Sequence, residues 1–258
     1  MLRSLSAMIW IGWYGFLETL RNRLLLGVAL LVLPMLGASM LLNSYDLGFQ
    51  AKIVKDIGLN IISIFGLFVV LILSLDQIIP DIERRSIYFI LARMSRRGVY
   101  LVGRFLGVAA SLAFYQTVMG ALLVLLLYGR TGVWYDEIML GVFVLFLKQC
   151  VLLAVILMLA TFTSKIVIMS LGILLYSLGH TYDLIRMLAE KQSNTILSRL
   201  IEFFAFFLPD FSLYEIRVNI VHELPFQTSS LVILTVYTSA LCMFYLALGG
   251  NILSRRDL

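Results

Sequence analysis

Residues 59–79 read LNIISIFGLFVVLILSLDQII, an apolar run that carries no Lys or Arg and a single carboxylate, Asp76. A helix needs about 20 apolar residues to cross a hydrocarbon core about 30 Å thick, and this run has that length. The whole 258-residue chain shares its character, because 61% of the residues are hydrophobic, 14% are charged and the mean hydropathy is +0.99. A soluble core could not bury so much apolar surface, so the chain is expected to fold in a membrane.

Apolar windows of this kind occur six times along the chain, each bounded by charged residues. They cover Leu24–Leu42, Leu59–Ile79, Val99–Tyr128, Ile138–Phe162, Ile166–Tyr182 and Ser229–Leu248. The strands of an outer-membrane barrel would instead alternate polar and apolar residues over about ten positions, and runs such as Ile61–Leu75 do not alternate. The sequence therefore predicts an all-α membrane protein with six transmembrane helices, the first five within residues 24–182.

The Lys and Arg residues are distributed unevenly between the two sides of these predicted helices. Of the 20, twelve fall on the side of the termini and of the second and fourth loops, seven fall in the opposite loops together with ten of the 15 carboxylates, and Lys148 lies within a helix. Because basic residues resist translocation, a multi-pass protein of the cytoplasmic membrane with both termini in the cytoplasm is predicted. This topology accounts for the net charge of +5 without a nucleic-acid partner.

Residues 1–23 precede the first predicted span and carry apolar side chains at three- and four-residue intervals. Such spacing places Ile9 and Trp13 on one helical face, and Trp10, Trp13 and Tyr14 suit the headgroup level of a bilayer. An interfacial elbow helix is predicted, with a poorly ordered leader as the alternative. A cleavable signal is disfavoured because the apolar run that follows exceeds the typical length of about 7 to 15 residues.

Residues 183–227 form the longest stretch between predicted spans, on the external side. The part around Phe203–Phe207 is too apolar for a solvated loop and stops at Pro209. It predicts an external re-entrant or surface-lying helix, and a small cap packed on the bundle is equally compatible. Residues 228–258 would then supply the sixth span and a cytoplasmic tail.

Motifs of enzymes are missing from the sequence. There is no Gly-x-x-x-x-Gly-Lys-[Ser/Thr] phosphate loop and no Gly-x-Ser-x-Gly elbow, and His222-Glu223 lacks the second histidine of a zinc protease. Cys150 and Cys242 both fall inside predicted spans without metal-ligand spacing. The chain is therefore expected to be no enzyme, to hold no metal or cofactor, and to depend on another chain for any ATP-driven work.

Five polar residues inside or beside the predicted spans are candidates for lining a pathway, since a charge in lipid costs several kcal/mol unless it meets a partner or water. They are Asn60, Asp76, Gln116, Lys148 and Gln149. The alternative interpretation is that Asp76 reaches the interface and Lys148 pairs with a polar group between helices. A secondary transporter would need more such groups and two related halves, and the sequence contains no internal repeat.

Residues 82–105 read IERRSIYFILARMSRRGVYLVGRF, an acidic–basic turn followed by an apolar stretch, Ser-Arg and a Gly-Arg-Phe helix. This pattern resembles the ABC-2 type permeases, the membrane subunits of a large class of ATP-driven exporters. The positions that carry the resemblance are Glu83, Arg84, Arg85, Tyr88, Leu91, Ser95, Arg96, Gly103, Arg104 and Phe105. It extends to residues 207–210, 221–225 and 254–258, and is closest to the branch of the nitrous-oxide-reductase maturation permease. The chain departs from the family in having Met94 where a proline and an aliphatic residue usually precede Ser-Arg.

The resemblance implies that residues 82–98 are a cytoplasmic coupling loop that docks on the ATPase subunit. The residues expected to make this contact are Glu83, Arg84, Arg85, Tyr88, Arg93, Ser95, Arg96 and Arg97. Its apolar part would anchor the loop and its arginines would form charge-assisted hydrogen bonds around it, while Ser95 is suited to cap the third span. The alternative is a positive-inside charge cluster with a lipid-facing apolar turn.

The resemblance further implies a permease that dimerises, docks two ATPase subunits and exports a substrate, with ATP and Mg²⁺ bound by the ATPase. A homodimer is expected, surrounded by membrane lipids. The alternative function is a membrane anchor that does not transport but passes ATPase motion to a periplasmic partner through residues 183–227. The sequence carries no chemical signature of the substrate.

Overall fold

The computed structural model of the chain describes residues 2–20, 27, 34–35, 37, 47–83, 97–182, 187, 209–215, 220 and 228–255. Within these ranges the regular structure is helical and no strand occurs. The six helices found there are α1 (Leu2–Leu20), α2 (Leu47–Glu83), α3 (Arg97–Thr131), α4 (Glu137–Ala160), α5 (Lys165–His180) and α6 (Thr228–Arg255). A 3-10 turn at Ser212–Tyr214 lies between α5 and α6.

Four of these helices are long and apolar enough to cross a membrane. Their qualifying segments are Ala51–Gln77, Gly98–Thr131, Glu137–Ala160 and Ser229–Ser254, in agreement with the second, third, fourth and sixth predicted spans. The predicted span Leu24–Leu42 lies almost entirely outside the described residues. The structure therefore shows a helical protein with four helices that are long and apolar enough to cross a membrane, whereas the count of six spans stays a prediction.

The fifth predicted span, Ile166–Tyr182, corresponds to a helix that is shorter than a span. α5 contains 16 residues, about 24 Å at 1.5 Å per residue, whereas a hydrocarbon core measures about 30 Å. The sequence prediction of a complete crossing is not confirmed here, because α5 ends at His180 and is shorter than the helices that qualify as candidate spans.

α4 forms the centre of the bundle, and 78% of its span is buried within the protein. It packs against α2, α3, α5 and α6. Gly120 of α3 lies against Val142 and Gly66 of α2 lies against Gln149, so α4 is covered from two sides by close contacts.

α6 lies at the margin of the bundle, with 28% of its span buried. Its buried residues recur every four positions, at Leu234, Thr238, Cys242 and Leu246, as expected for a helix with one face on a core. The opposite face exposes large apolar side chains. These include Val232, Ile233, Val236, Met243 and Phe244. Such a face is suited to hydrocarbon rather than water.

α1 confirms that the N-terminal segment is helical. It packs mainly along α3, and several of its large apolar and aromatic side chains are exposed. Ile9, Trp10, Trp13 and Tyr14 are all more than half exposed, at 66%, 61%, 54% and 66%. Their placement at the headgroup level of a bilayer stays a prediction.

Candidate functional site

A layer of polar side chains crosses the middle of the bundle, here called the polar seam. Its members are Asn60 and Ser63 of α2, Gln116 of α3, Lys148 and Gln149 of α4, and Tyr176 and His180 of α5. Ser63 and Lys148 lie close to the midpoints of the spans Ala51–Gln77 and Glu137–Ala160. The seam therefore occupies the depth at which a bilayer supplies no water to polar groups.

One half of the seam is a chain of amides that joins α3, α4 and α2. Gln116 Nε2 donates to Gln149 Oε1 over 2.6 Å, and Gln149 Nε2 donates to the carbonyl oxygen of Ser63 over 3.2 Å. Both glutamines are buried. Gly66 makes room for this chain, because a methyl group at its Cα would collide with the side-chain amide of Gln149. Among the described residues, Gln116 Oε1 finds no hydrogen-bond donor.

The other half of the seam contains the charged groups. Lys148 is 3% exposed, and its Nζ lies 3.5 Å from His180 Nδ1 and 4.7 Å from the centre of the Tyr176 ring. On the far side of the imidazole, His180 Nε2 lies 2.8 Å from Glu215 Oε1. The Tyr176 hydroxyl shares a hydrogen bond of 2.9 Å with Ser63 Oγ, so the two halves of the seam meet at Ser63.

The end of α5 determines where these charged groups meet. α5 runs antiparallel to α4, because Gly172 lies beside Ile156 and His180, eight residues on, meets Lys148, eight residues back. α5 therefore covers only the second half of α4 and ends near the middle of its span. The C-terminal carbonyls of a helix carry partial negative charge, which favours a cation such as Lys148 at this position.

The segment Pro209–Glu215 is non-helical apart from its 3-10 turn and packs against the bundle beside the end of α5, with Phe211 and Tyr214 buried. The backbone N–H of Phe211 donates to the carbonyl oxygen of Gly179 over 3.1 Å, and Tyr214 shares a hydrogen bond of 2.7 Å with Thr238 of α6. Irregular backbone at membrane depth is tolerated where protein surrounds it. The remainder of residues 183–227 falls largely outside the described residues, so its predicted helical character stays a prediction.

A small cavity of about 40 Å³ opens between α2, α4 and the end of α5. This volume has room for about three water molecules. The polar residues of its wall are Asn60, Ser63, Lys148, His180, Tyr214 and Glu215. Burial raises the pKa of the Tyr214 phenol well above its usual value, and its hydrogen bond with Thr238 offsets this only in part, so Tyr214 stays neutral.

A second contact of interest lies where α1 crosses α3, near the end of α2 that precedes the predicted coupling loop. Gly12 and Gly15 of α1 face Gly103 and Gly107 of α3, here called the α1–α3 crossing, and small residues of this kind let two backbones approach closely in a membrane. Gln77 of α2 reaches the same place, where its Nε2 donates to the carbonyl oxygen of Gly15 over 2.9 Å.

An ion pair completes this junction, since Arg104 Nη1 lies 3.1 Å from Glu18 Oε2. The crossing thus ties together α1, the last turns of α2 and the first turns of α3. The two ends that flank the predicted coupling loop, Glu83 and Arg97, extend from this three-helix junction.

Lys55 is a further buried cation, near the opposite end of α2. It is 0% exposed, and its Nζ lies 3.9 Å from the centre of the Tyr135 ring and 3.9 Å from Glu137 Oε2. Its aromatic and carboxylate neighbours supply what a buried ammonium needs. We therefore interpret Lys55 as a structural contact between α2 and the start of α4.

The structure brings together four of the five predicted pathway residues, because Asn60, Gln116, Lys148 and Gln149 all belong to the polar seam. Asp76 does not join them; it lies more than four helical turns from Asn60 along α2, beside Gln77 at the α1–α3 crossing. The role of these residues in a pathway stays a prediction.

The predicted coupling residues cannot be placed in the same way. Glu83 and Arg97 are the terminal residues of α2 and α3, and their side chains are outside the described part of the protein. The others also fall outside it. They are Arg84, Arg85, Tyr88, Arg93, Ser95 and Arg96.

Four members of the site were not singled out from the sequence: Ser63, Tyr176, His180 and Glu215. A usable signal existed in Tyr176 and His180, since residues four apart share one face of a helix. Ser63 and Glu215 offered none, because a serine is common in apolar helices and Glu215 lies far from α4 in sequence.

The structure thus combines four helices long and apolar enough to cross a membrane with a polar seam inside an apolar core. Among the residues that the structure describes, no three His, Cys, Asp or Glu side chains lie close enough to hold a metal ion. No protein-family model matches the chain, and no curated protein shows significant similarity to it.

Proposed function

We propose that the chain is the membrane subunit of an ABC-2 type exporter, which moves a substrate across the cytoplasmic membrane with energy from a separate ATPase subunit. The proposal rests on the resemblance of residues 82–105 to such permeases and on one structural observation, the three-helix junction near the ends of α2 and α3 that flank the predicted coupling loop. ATP and Mg²⁺ would be bound by the ATPase.

The junction supports the proposal because a loop that transmits force must be attached to helices that are held firmly together. The Gln77–Gly15 hydrogen bond links α1 to α2, and the Arg104–Glu18 ion pair links α1 to α3. Gln77 lies about two turns before the end of α2, and Arg104 lies about two turns after the start of α3. A displacement of the loop would therefore move three helices together. Glycines at the crossing keep the helices in backbone contact, which leaves little slack.

The translocation route is proposed to lie between two copies of the chain. The cavity in the polar seam, at about 40 Å³, is too small for a solute larger than a few waters. α5 and α6 meanwhile present broad apolar faces, with Ile166, Leu174, Val236 and Met243 all exposed. A twofold dimer with two ATPase subunits fits this arrangement.

The membrane anchor that does not transport remains a second candidate, favoured by the packing of Pro209–Glu215. The hydrogen bonds Phe211–Gly179 and Tyr214–Thr238 tie this segment to α5 and α6. Motion of those helices would reach a partner on the same side of the membrane. Tracer uptake into inverted vesicles that contain both subunits separates the two candidates, because only the exporter accumulates the tracer when ATP is supplied.

Charge reversal in the coupling loop tests the proposal. Arg84→Glu with Arg85→Glu replaces attraction by repulsion against an acidic ATPase surface, and loss of a partly buried charge pair costs about 2 to 5 kcal/mol. The ATPase subunit should co-purify at least about tenfold less well. The matched control reverses Arg255 and Arg256, another pair of arginines predicted on the cytoplasmic side, and should retain the ATPase.

Two results would contradict the proposal. One is a doubly reversed loop variant that inserts normally and still captures its ATPase at the level of the parent protein. The other is equal loss in the Arg255–Arg256 control, which would indicate a general requirement for positive charge rather than a docking loop.

A further inference from the structure

A groove between α1 and α3 opens on the outside of the bundle, beside the α1–α3 crossing. Its volume is about 400 Å³, whereas the cavity in the polar seam measures about 40 Å³. Clefts that bind small organic molecules measure about 300 to 1,000 Å³, so this groove has the size of a ligand site. The walls of this space, here called the α1–α3 groove, include Gly12, Trp13 and Phe16 of α1 and Leu106, Ala110 and Phe114 of α3.

The walls of the α1–α3 groove are apolar. Among the described residues that line it, the indole N–H of Trp13 is the only side-chain hydrogen-bond donor. Trp13, Leu106 and Phe114 are nevertheless about half exposed. A polar ligand that left water for this groove would lose hydrogen bonds without replacing them. The groove is therefore suited to an apolar occupant.

Two small residues leave the groove open. Gly12 has no side chain and Ala110 has only a methyl group, while Phe16 and Phe114 stand beside them with their ring centres 6.5 Å apart. A hydrocarbon chain in such a groove contacts protein on more than one side, whereas a chain on a flat helix face contacts it on one. Because dispersion attraction sums over many small contacts, the groove holds a hydrocarbon chain more firmly than a flat apolar surface does.

The depth of the groove matches one leaflet of a bilayer. α3 contains 35 residues, about 52 Å, and a hydrocarbon core about 30 Å thick that is centred on it leaves about 11 Å of helix outside at each end. Leu106 and Phe114 lie about 14 and 26 Å from the start of α3 at Arg97. The groove therefore runs from near the edge of the hydrocarbon to about its middle, which is the depth that one acyl chain occupies.

We infer that the α1–α3 groove is a fixed site for one acyl chain of a membrane phospholipid. The chain lies along α3 from Leu106 towards Phe114, with the headgroup at the level of Arg104, whose ion pair with Glu18 supplies charges of both signs. The bound chain fills the space that the small residues leave and so stabilises α1 on α3. The inference requires that α3 crosses a bilayer, but it does not depend on the proposed export function.

The test uses Trp13 as the sole tryptophan, in the full-length chain with Trp10→Phe and Trp134→Phe. This protein is reconstituted in a phosphatidylcholine that carries bromine in the part of one acyl chain nearest to the headgroup, and is then extracted into detergent to remove the bulk lipid. Native mass spectrometry should find a single phospholipid retained on each chain. Because bromine quenches tryptophan fluorescence only at short range, Trp13 should stay quenched relative to protein prepared in the same lipid without bromine.

Two alanine variants in the same background separate the groove from the remaining apolar surface. Ala110→Phe fills the groove, so the phospholipid should be lost and the fluorescence of Trp13 restored. Ala240→Phe is the matched control, because it adds the same ring on the exposed face of α6, and it should change neither result. The measurements on the Trp13 protein need neither variant, so they decide even if Ala110→Phe fails to insert.

Four results would overturn the inference. The first is full recovery of Trp13 fluorescence on extraction of the parent protein. The second and third are retention of the phospholipid by Ala110→Phe and its loss from Ala240→Phe. The fourth is an unquenched Trp13 in a dimer that Ala110→Phe dissociates, which would show that a second copy of the chain occupies the groove.

Discussion

The α1–α3 crossing and the polar seam are both helix contacts with buried polar groups, but they are built in opposite ways. At the crossing, four glycines bring two backbones together and Gln77 bonds to a main-chain carbonyl. At the seam, Gln116 and Gln149 bond to each other through their side chains, and Gly66 makes room for the Gln149 amide. The α1–α3 crossing depends on glycines, which have no side chain, whereas the polar seam depends on hydrogen bonds between complementary side chains.

The two contacts are therefore expected to respond differently when a side chain is added at a glycine. A side chain added at the crossing meets backbone, as at Gly107, where a methyl group would lie 2.9 Å from the carbonyl oxygen of Gly12. Because backbone cannot rotate away, α1 itself must move. A side chain added at the seam meets a hydrogen-bonded amide in the middle of the bundle, so the cost falls on the network and on every helix it joins.

The largest effect is expected from Gly66→Leu, which tests the seam at the point where Gly66 lies against the Gln149 amide. The new side chain displaces Gln149, leaving buried amide groups of Gln116 and Gln149 unpaired. We expect a loss of about 3 kcal/mol or more in the free energy of unfolding. Thermal unfolding in detergent checks this, with Gly129→Leu of α3 as the matched control, since nothing lies within 4 Å of a side chain added there. Equal stability of the two variants would show that the seam is not tightly packed.

A smaller effect is expected from Gly107→Leu, which tests the crossing. Overpacking against the backbone of α1 should cost about 2 kcal/mol, and the cost should appear as detachment of α1 rather than as unfolding of the bundle. Hydrogen exchange of residues 2–20 should increase while exchange within α4 stays unchanged. Exchange that rises equally in α1 and α4 would mean that the crossing is part of the core.

The smallest effect is expected at the Gln116–Gln149 pair, and a double variant measures it. Gln149→Leu leaves the Gln116 amide buried without its partner and should cost about 1.5 kcal/mol. Gln116→Leu together with Gln149→Leu removes both partners and should cost less than the single change. Chemical unfolding of four proteins, the parent, Gln116→Leu, Gln149→Leu and the double variant, measures the difference. Strictly additive costs would show that the two amides do not depend on each other.

The sequence predicted the long helices well because their signal is compositional. Windows such as Leu59–Ile79 need no knowledge of neighbours to be recognised as helical spans, and the observed helices extend beyond them. The fifth predicted span, Ile166–Tyr182, stays unconfirmed, since α5 contains only 16 residues and ends at His180.

The candidate site was predicted in part for the same reason. Lys148 and Gln149 stand out because charge and amide groups are rare in a span, so four of the five proposed residues do meet. His180 and Glu215 could not be assigned to Lys148, since no pattern in the chain encodes the contact between α4 and residues 209–215. The position of Asp76 apart from the seam could not be predicted either, because the hydropathy of α2 does not show which neighbours each of its residues contacts.

The lengths of α2 and α3 have a mechanical consequence. Their 37 and 35 residues correspond to about 55 and 52 Å, more than the about 40 to 45 Å of a bilayer with its headgroups. The seam joins both helices near their middle, which leaves about 27 Å of helix on either side. If the proposed coupling operates, the seam would act as a pivot, and a tilt of roughly 10° would move each helix end by about 5 Å. A push at the ends of α2 and α3 that flank residues 84–96 would then move their other ends by a similar distance in the opposite direction.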